Sequence, residues 1–300
     1  MVNASLLYEL TVSGLGIGAL YSLVAIGFVL IYKITGVLNF AQGAIALLGA
    51  YGVIILTNSG VPPYEAVVLL VVLGVPLGYL MERLLFRHFV GEPVLSVILV
   101  TLALASVIEG VIQLRLGGSQ SRALPGPLQI DWSVPIPFGE TISGSFAIGV
   151  LLALLTVISL VMVFRYTVIG AALQATASDQ QAAEALGISI KRTTMIAWIL
   201  AIVITMIGGL LLAASRGSAT FAIENVGIVI FTAVILGGLD SIVGAFVGSL
   251  AVGLLEIFGS YFFESIVGPG FGIVLPLVFL LFVIVIRPHG LYGTEHVERL

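Results

Sequence analysis

Long stretches without charged side chains constrain the fold of this chain more than any other feature. Five stretches of 22 or more residues contain no Asp, Glu, Lys or Arg, and they cover residues 10–32, 34–64, 141–164, 193–215 and 265–286. About 20 helical residues cross a hydrocarbon core of roughly 30 Å. Only 9% of the residues are charged, against about 25% in soluble domains. The sequence predicts an all-α, polytopic membrane helix bundle in which residues 1–300 form one transmembrane domain.

The positions of lysine and arginine indicate how the predicted helices are oriented. We expect about nine crossings, the first six of them near 10–32, 34–56, 63–82, 93–115, 141–164 and 193–215. With the N-terminus outside and the C-terminus in the cytoplasm, eight basic residues, among them Arg299, lie inside. Only Arg115, Arg122 and Arg216 lie outside, which is the bias that the positive-inside rule demands.

The segment 225–260 can hold one bent crossing or two crossings joined at 237–241. Two crossings fit the positive-inside rule better, because one crossing would leave six basic residues inside against five outside. Residues 225–239 are too few for a straight full-width helix, so a short or broken helix is expected there, with Gly237 and Gly238 as its hinge. Asp240, beside the hinge, is either a polar turn residue or a functional group.

Pairs of glycines four residues apart predict close contacts between helices, since small residues let membrane helices approach each other. The pairs are Gly14 with Gly18, Gly74 with Gly78, Gly244 with Gly248 and Gly268 with Gly272.

Two loops are long enough to have roles of their own. The external loop 117–139 is rich in Gly and Pro, contains Trp132, and is either a cap that meets an external partner or a connector. The cytoplasmic loop 165–192 contains a short predicted helix from about 179 to 186. Ser178 and Gln181 have the spacing of a capping box, and Gly187 stands where helices commonly stop.

This short helix is predicted to have one apolar stripe, formed by Ala182, Ala183 and Leu186. The stripe suits docking into a groove on another protein, and it equally suits a helix that lies on the membrane surface.

The sequence predicts no enzyme activity in this chain. It contains no cysteine, and neither Lys33 nor Lys191 follows a glycine, so a phosphate-binding loop is absent. The sequence also lacks the Gly-X-Ser-X-Gly and His-Glu-X-X-His motifs of hydrolases. We therefore expect no catalytic residue, no metal site and no cofactor, and the absence of a basic cluster argues against nucleic-acid binding.

Polar residues within the predicted spans are candidates for a substrate path. Asn39 and Gln42 lie in an apolar run, where amides either bond to a neighbouring helix or line a polar path. The glycines around them favour the path, to which we also assign Asn225. Glu109 and Glu256 are candidates for ion coupling, although a local ion pair or a side chain reaching the membrane surface explains each equally well.

Six motifs resemble those of the membrane permeases of branched-chain amino acid ABC importers. They are GALYSL at 18–23, GVLNFAQG at 36–43, LGAY at 48–51, AAEALG at 182–187, LGGLDS at 236–241 and RPHGLYG at 287–293. The resemblance runs nearly from end to end. The family often has His at the position of Gln42 and Gly at that of Asp240.

The resemblance implies that residues 179–187 form a coupling helix, which docks on a separate cytoplasmic ATP-binding subunit. The implied contact residues are Asp179, Ala182, Ala183, Glu184, Leu186 and Gly187. It also implies a periplasmic or extracellular substrate-binding protein, a second and non-identical permease chain, and a place in the lipid of a bacterial or archaeal cytoplasmic (inner) membrane. The expected substrates are small amino acids, branched-chain ones in particular.

Two alternatives remain open at the level of sequence. Permeases for ribose, nucleosides or urea belong to the same superfamily, and a stand-alone channel or an ion-coupled carrier is a different class of transporter. A channel conducts without nucleotide and a carrier follows an ion gradient, whereas a permease of this kind requires its ATPase.

Overall fold

A computed structural model describes most of the chain. The described residues are 4–85, 87, 93–116, 120–130, 132–135, 141–287 and 290–293. Arg299, the first residues of the external loop at 117–119 and its end at 136–140 lie outside them.

The described residues form eleven α-helices, so the predicted all-α membrane bundle is confirmed. The helices are α1 Ala4–Thr35, α2 Gln42–Asn58, α3 Pro63–Leu80, α4 Val94–Leu116, α5 Gly144–Tyr166, α6 Val168–Ser178, α7 Gln180–Ala185, α8 Ile190–Ser215, α9 Ala222–Gly237, α10 Ile242–Val267 and α11 Phe271–Ile286. A π-helical turn at Met81–Leu85 extends α3, and Gly126–Leu128 form a 3₁₀ turn.

Six of these helices are long and apolar enough to cross a membrane, namely α1, α3 with its extension, α4, α5, α8 and α10. The shorter apolar helices α2, α9 and α11 contain 17, 16 and 16 residues. Sixteen residues rise about 24 Å, which is less than the roughly 30 Å of a bilayer core. The count of nine crossings therefore stays a prediction.

Helix α1 lies at the centre of the bundle. It packs mainly against α8, α10 and α5. In its most apolar 18-residue stretch, 89% of the residues are buried. Glycines allow this central position, because Gly14 and Gly18 let α10 approach α1 closely and Gly27 does the same for α8. In contrast, α4, α5 and α11 expose many large apolar side chains, such as Val107, Leu151 and Val285, and these suit contact with lipid.

The glycine pairs do bring helices together, with one exception. Gly14 and Gly18 face α10, Gly74 and Gly78 face α8, and Gly244 and Gly248 face α9, as predicted. The prediction was wrong for Gly268, which ends α10 with φ +126° and has no described atom near the position of its missing Cβ. Its partner Gly272 does pack, against Ser260.

The predicted division of 225–260 into two helices is confirmed. Helix α9 ends at Gly237, the chain turns through Gly238 at φ 112°, and α10 begins at Ile242. The Ser241 hydroxyl caps α10 by accepting a hydrogen bond from the Gly244 amide at 3.0 Å. Because Gly237 and Gly244 lack side chains, the two helices touch backbone to backbone at the turn.

The segment 290–293 closes on this turn. The Leu291 and Tyr292 amides donate to the carbonyl oxygens of Leu236 and Gly237, each at 2.9 Å. Carbonyl groups at a helix C-terminus lack partners within the helix, so this segment satisfies the end of α9. The motif at 236–241 and the described end of the motif at 287–293, both of which carry the family resemblance, thus lie together.

The bundle has two distinct ends. We call one of them the α7 end; it contains α7, the last residue of α1 and the first residue of α8. There the Gln180 side chain on α7 donates a hydrogen bond to the Ile34 carbonyl oxygen on α1 at 3.2 Å. At the opposite end, β1 (Arg122–Ala123) pairs antiparallel with β4 (Ser218–Ala219), and β2 (Ser133–Pro135) pairs with β3 (Thr141–Ser143). The described part of the external loop is therefore tied to the end of α8 and to the start of α5.

Candidate functional site

The short helix α7 lies where a helix from 179 to 186 was predicted, but its N-cap differs. Asp179 is the N-cap, and its carboxylate accepts a hydrogen bond from the Ala182 amide at 3.0 Å. The predicted capping box was wrong because Ser178 is the last residue of α6. An aspartate suits this position, since it satisfies a free amide and its charge is favourable at a helix N-terminus.

The C-terminal end of α7 is confirmed at Gly187. This residue has φ +83°, which glycine adopts at little cost. The Ile188 amide donates back to the Ala183 carbonyl oxygen at 3.0 Å and the Gly187 amide to that of Glu184 at 2.9 Å. Such bonds close the last helical turn and fix the point at which the chain leaves α7.

The exposed face of α7 differs from the predicted stripe. Ala182, Glu184 and Leu186 are exposed, with Leu186 at 80%, whereas Ala183 is buried at 2%. The prediction that Ala183 lies on one surface with Ala182 and Leu186 was wrong, because α7 packs on α6 and α8 through its Ala183 side. Leu186 is thus the large apolar side chain that α7 leaves exposed.

Side-chain hydrogen bonds attach α6 and α7 to the core of the bundle. The Gln180 side chain donates to the Ile34 carbonyl oxygen on α1 at 3.2 Å, and the Thr176 hydroxyl on α6 donates to that of Thr193 on α8 at 3.1 Å. Helix α1 therefore bonds to α7 directly, whereas α8 bonds to α6, on which α7 packs.

The side-chain amides of Asn39 and Gln42 are buried, and both make hydrogen bonds. The Gln42 side-chain nitrogen donates to the Val24 carbonyl oxygen on α1 at 3.3 Å and to the Thr205 hydroxyl on α8. Its oxygen accepts from the Asn39 side chain at 2.9 Å. These contacts join α1, α2 and α8, so the two amides bond to neighbouring helices, which is one of the two roles that the sequence allowed. Their role in a substrate path stays a prediction.

Asn225 is not part of this buried cluster. Its side chain is exposed on α9, although the α9 backbone at Glu224 and Gly227 lies directly against Gly43. The structure thus brings the backbone next to Asn225 close to the start of α2, while the Asn225 side chain stays exposed.

A buried ion pair at the α7 end was not found from the sequence. Glu82 is 3% exposed and its carboxylate bonds to Arg87, with Arg87 Nη2 at 2.9 Å from Glu82 Oε2. Arg87 Nε and the Thr194 hydroxyl on α8 both lie 3.2 Å from Glu82 Oε1. The signal was an acidic and a basic residue five positions apart at the end of a span.

This ion pair lies beside a cavity of about 770 Å³, which we call the α7-end cavity. The α7-end cavity lies between α7, the start of α8, the start of α4 and residues 35–38. Its lining includes the charged residues Glu82, Arg87, Glu184 and Lys191.

Two further acidic candidates lie near polar groups on other helices. Glu109 on α4 lies near Glu224 on α9, and the Glu256 carboxylate on α10 lies near the Tyr21 hydroxyl on α1, while its buried Oε2 atom makes no hydrogen bond within the described part of the chain. Lys33 donates to the Asp240 backbone oxygen at 3.0 Å. Among the described residues, no group of acidic or histidine side chains has the arrangement of a metal site.

The long apolar helices are typical of an integral membrane protein. The family described as "Branched-chain amino acid transport system / permease component" matches residues 10–286. The chain belongs to this family, whose members are the permease components of transport systems.

Relatives from distant organisms match nearly the whole chain. The high-affinity branched-chain amino acid transport system permease protein BraD of Pseudomonas aeruginosa is 27% identical over 96% of each chain. The probable branched-chain amino acid transport permease protein LivH of Methanocaldococcus jannaschii is 30% identical over 91% of this chain and 88% of its own. The fructose import permease protein FruG of Bifidobacterium longum is 26% identical over 85% and 76%.

A solved structure shares the fold. PsaBC from Streptococcus pneumoniae, determined in complex with a Fab, has a TM-score of 0.52 over 93% of this chain and 92% of its own. The sequence identity is 14%, so the likeness concerns the fold alone.

Proposed function

We propose that this chain is the permease subunit of an ABC importer that carries small amino acids, branched-chain ones in particular, across the cytoplasmic membrane. The family match over residues 10–286 carries this proposal. The relatives BraD and LivH are named for branched-chain amino acids, and they cover almost the whole chain. FruG is named for fructose, so the substrate needs a direct test.

In this proposal the α7 end faces the cytoplasm and α7 docks on a separate ATP-binding subunit. The positive-inside rule supports the orientation, because Lys33, Arg165 and Lys191 all lie at this end. The exposed Leu186 side chain is the apolar anchor of the contact, with Ala182 and Glu184 beside it. Asp179 and Gly187 fix the two ends of the helix, and the buried Ala183 seats it on the bundle.

The attachment of α7 gives the ATPase a mechanical route into the membrane. A displacement of α7 acts on α1 through the Gln180 to Ile34 hydrogen bond and on α8 through its packing. Because α1 contacts α8, α9 and α10, its movement reaches most of the bundle. The turn at Gly237 and Gly238 is the proposed hinge between α9 and α10.

The proposed substrate path runs beside the start of α2 and α9. Phe40, Asn225 and Ile228 are exposed there, and the buried Asn39 and Gln42 hold the start of α2 in place. A second, related permease chain would cover this surface and complete the path. An external binding protein would deliver the substrate at the opposite end, where Trp132 is half exposed.

The test is uptake by vesicles that contain this chain, its partner permease and the ATPase, with the cognate binding protein outside. We expect ATP-dependent accumulation of leucine, isoleucine or valine, and no accumulation when the ATPase is left out. Uptake of fructose, ribose or urea in place of amino acids would contradict the substrate. Conduction without nucleotide, or uptake that follows an ion gradient, would contradict the class of transporter.

A further inference from the structure

The α7-end cavity has the size and the polarity of a small-molecule site. Its volume of about 770 Å³ lies within the roughly 300–1,000 Å³ of typical ligand pockets. One wall is α7, and the opposite walls are the starts of α4 and α8. A molecule bound there would contact α7 and two membrane helices at once.

Charges of both signs line this cavity. Glu82 and Glu184 are acidic, while Arg87 and Lys191 are basic, so the lining has no net charge. Arg87 binds Glu82 through Nε and Nη2, and its Nη1 takes no part in that pair. Lys191 and Glu184 are exposed side chains. The cavity thus offers donors for an anionic group and acceptors for a cationic group on the same ligand.

The third part of the lining is apolar. Val94, Val97 and Ile98 contribute this face, on consecutive turns at the start of α4, and Trp198 on α8 lies fully buried behind the lining. Apolar side chains beside charged groups can orient a ligand that has both kinds of surface. An aliphatic side chain fits such a face without leaving a polar group unpaired.

We propose that the α7-end cavity is a binding site for a zwitterionic α-amino acid with an aliphatic side chain. The carboxylate faces Arg87 and Lys191, the ammonium group faces Glu184, and the side chain contacts Val97 and Ile98. The cytoplasmic location of the site and the aliphatic class rest on the proposed function. The match to a zwitterion rests on the lining of the cavity itself. Amino acid inside the cell would then contact the helix that couples the permease to its ATPase.

Binding of radiolabelled leucine tests this proposal in the permease–ATPase complex, reconstituted in nanodiscs without the external binding protein. Lys191→Gln removes one donor, and its control is Arg192→Gln, since Arg192 is also exposed but does not line the cavity. Val94→Trp fills the cavity from an exposed position, and Val107→Trp is its control on the lipid-facing part of α4. These positions are exposed, so none of the four variants removes core packing.

We expect saturable binding to the unaltered complex and to both control variants. Loss of one charge-assisted hydrogen bond should weaken binding of leucine to Lys191→Gln about tenfold or more, and Val94→Trp should abolish it. Leucine analogues that lack the ammonium or the carboxylate group should bind more weakly than leucine.

Equal binding by all four variants would overturn the proposal, as would the absence of leucine binding to the unaltered complex. If the same complex accumulates leucine with its binding protein but shows no binding in nanodiscs, this inference fails while the proposed function stands. If it binds leucine at the cavity but never accumulates an amino acid, the proposed function fails instead.

Discussion

The closure of residues 290–293 on the α9–α10 turn predicts a large cost for adding one methyl group at Gly238. Alanine at this position must adopt φ 112°, a conformation that costs side-chain-bearing residues about 1–3 kcal/mol. Its Cβ would also overlap the Gly293 backbone, with the Gly293 Cα only 2.7 Å away. Because the atoms that overlap the Cβ belong to the backbone, rotation of a side chain cannot relieve the clash. The methyl group would therefore displace residues 290–293.

That displacement would break the hydrogen bonds from Leu291 and Tyr292 to the end of α9. At about 0.5–1.5 kcal/mol each, the two bonds add about 1–3 kcal/mol to the strain. We therefore expect Gly238→Ala to lower the free energy of unfolding by about 2–6 kcal/mol. Gly60→Ala is the control, because Gly60 has φ +95° with no atom near its missing Cβ. The control Gly60→Ala should therefore lose only the free energy that the strained backbone conformation costs.

The assay is equilibrium unfolding of the purified chain in mixed micelles, with and without residues 288–300. In the full chain Gly238→Ala should cost more than Gly60→Ala, and in the shortened chain the two costs should be equal. Equal costs in the full chain would refute the packing of 290–293 on Gly238. The larger variant Gly238→Leu should also cripple ATP-driven uptake, and normal uptake at normal protein levels would refute the role of this residue as a hinge.

Further predictions concern the buried polar clusters. Gln42→Leu should destabilise the chain by about 1–3 kcal/mol, because it leaves the side chains of Asn39 and Thr205 without their partner. The control Asn58→Leu, at the exposed end of α2, should change the stability little. Equal unfolding free energies of the two variants would contradict this prediction. Arg87→Met should cost about 1–3 kcal/mol, because the buried Glu82 carboxylate loses its ionic partner and keeps only the Thr194 hydroxyl. The same substitution at the exposed Arg83 should cost far less. Equilibrium unfolding of the two variants measures both costs.

The sequence predicted the features that depend on local pattern. Uncharged stretches located the long helices, since length and apolarity decide which segments can span a membrane. Glycine spacing identified three of the four predicted helix contacts, and Gly187 correctly marked the end of α7. These signals are local because each depends on the residues of one helix or one turn.

Features that depend on the tertiary arrangement were missed or misassigned. Ala183 and Leu186 both look apolar in the sequence, but only the packing of α7 on its neighbours decides that Ala183 is buried and Leu186 exposed. The capping-box spacing at Ser178 competed with the better N-cap Asp179 one position later. The contact of Thr194 with the Glu82 ion pair joins residues more than 100 positions apart, which no pattern within one helix indicates.

Attachment of the ATPase through α7 is the central claim, and Leu186→Glu tests it most directly. In the reconstituted importer we expect this variant to lose the co-purifying ATPase and ATP-driven uptake together, since removing a central apolar anchor costs about 2 kcal/mol or more. Leu114→Glu, at a similarly exposed position on the opposite end of the bundle, should keep its ATPase. A Leu186→Glu importer that retains both ATPase and uptake would contradict the account.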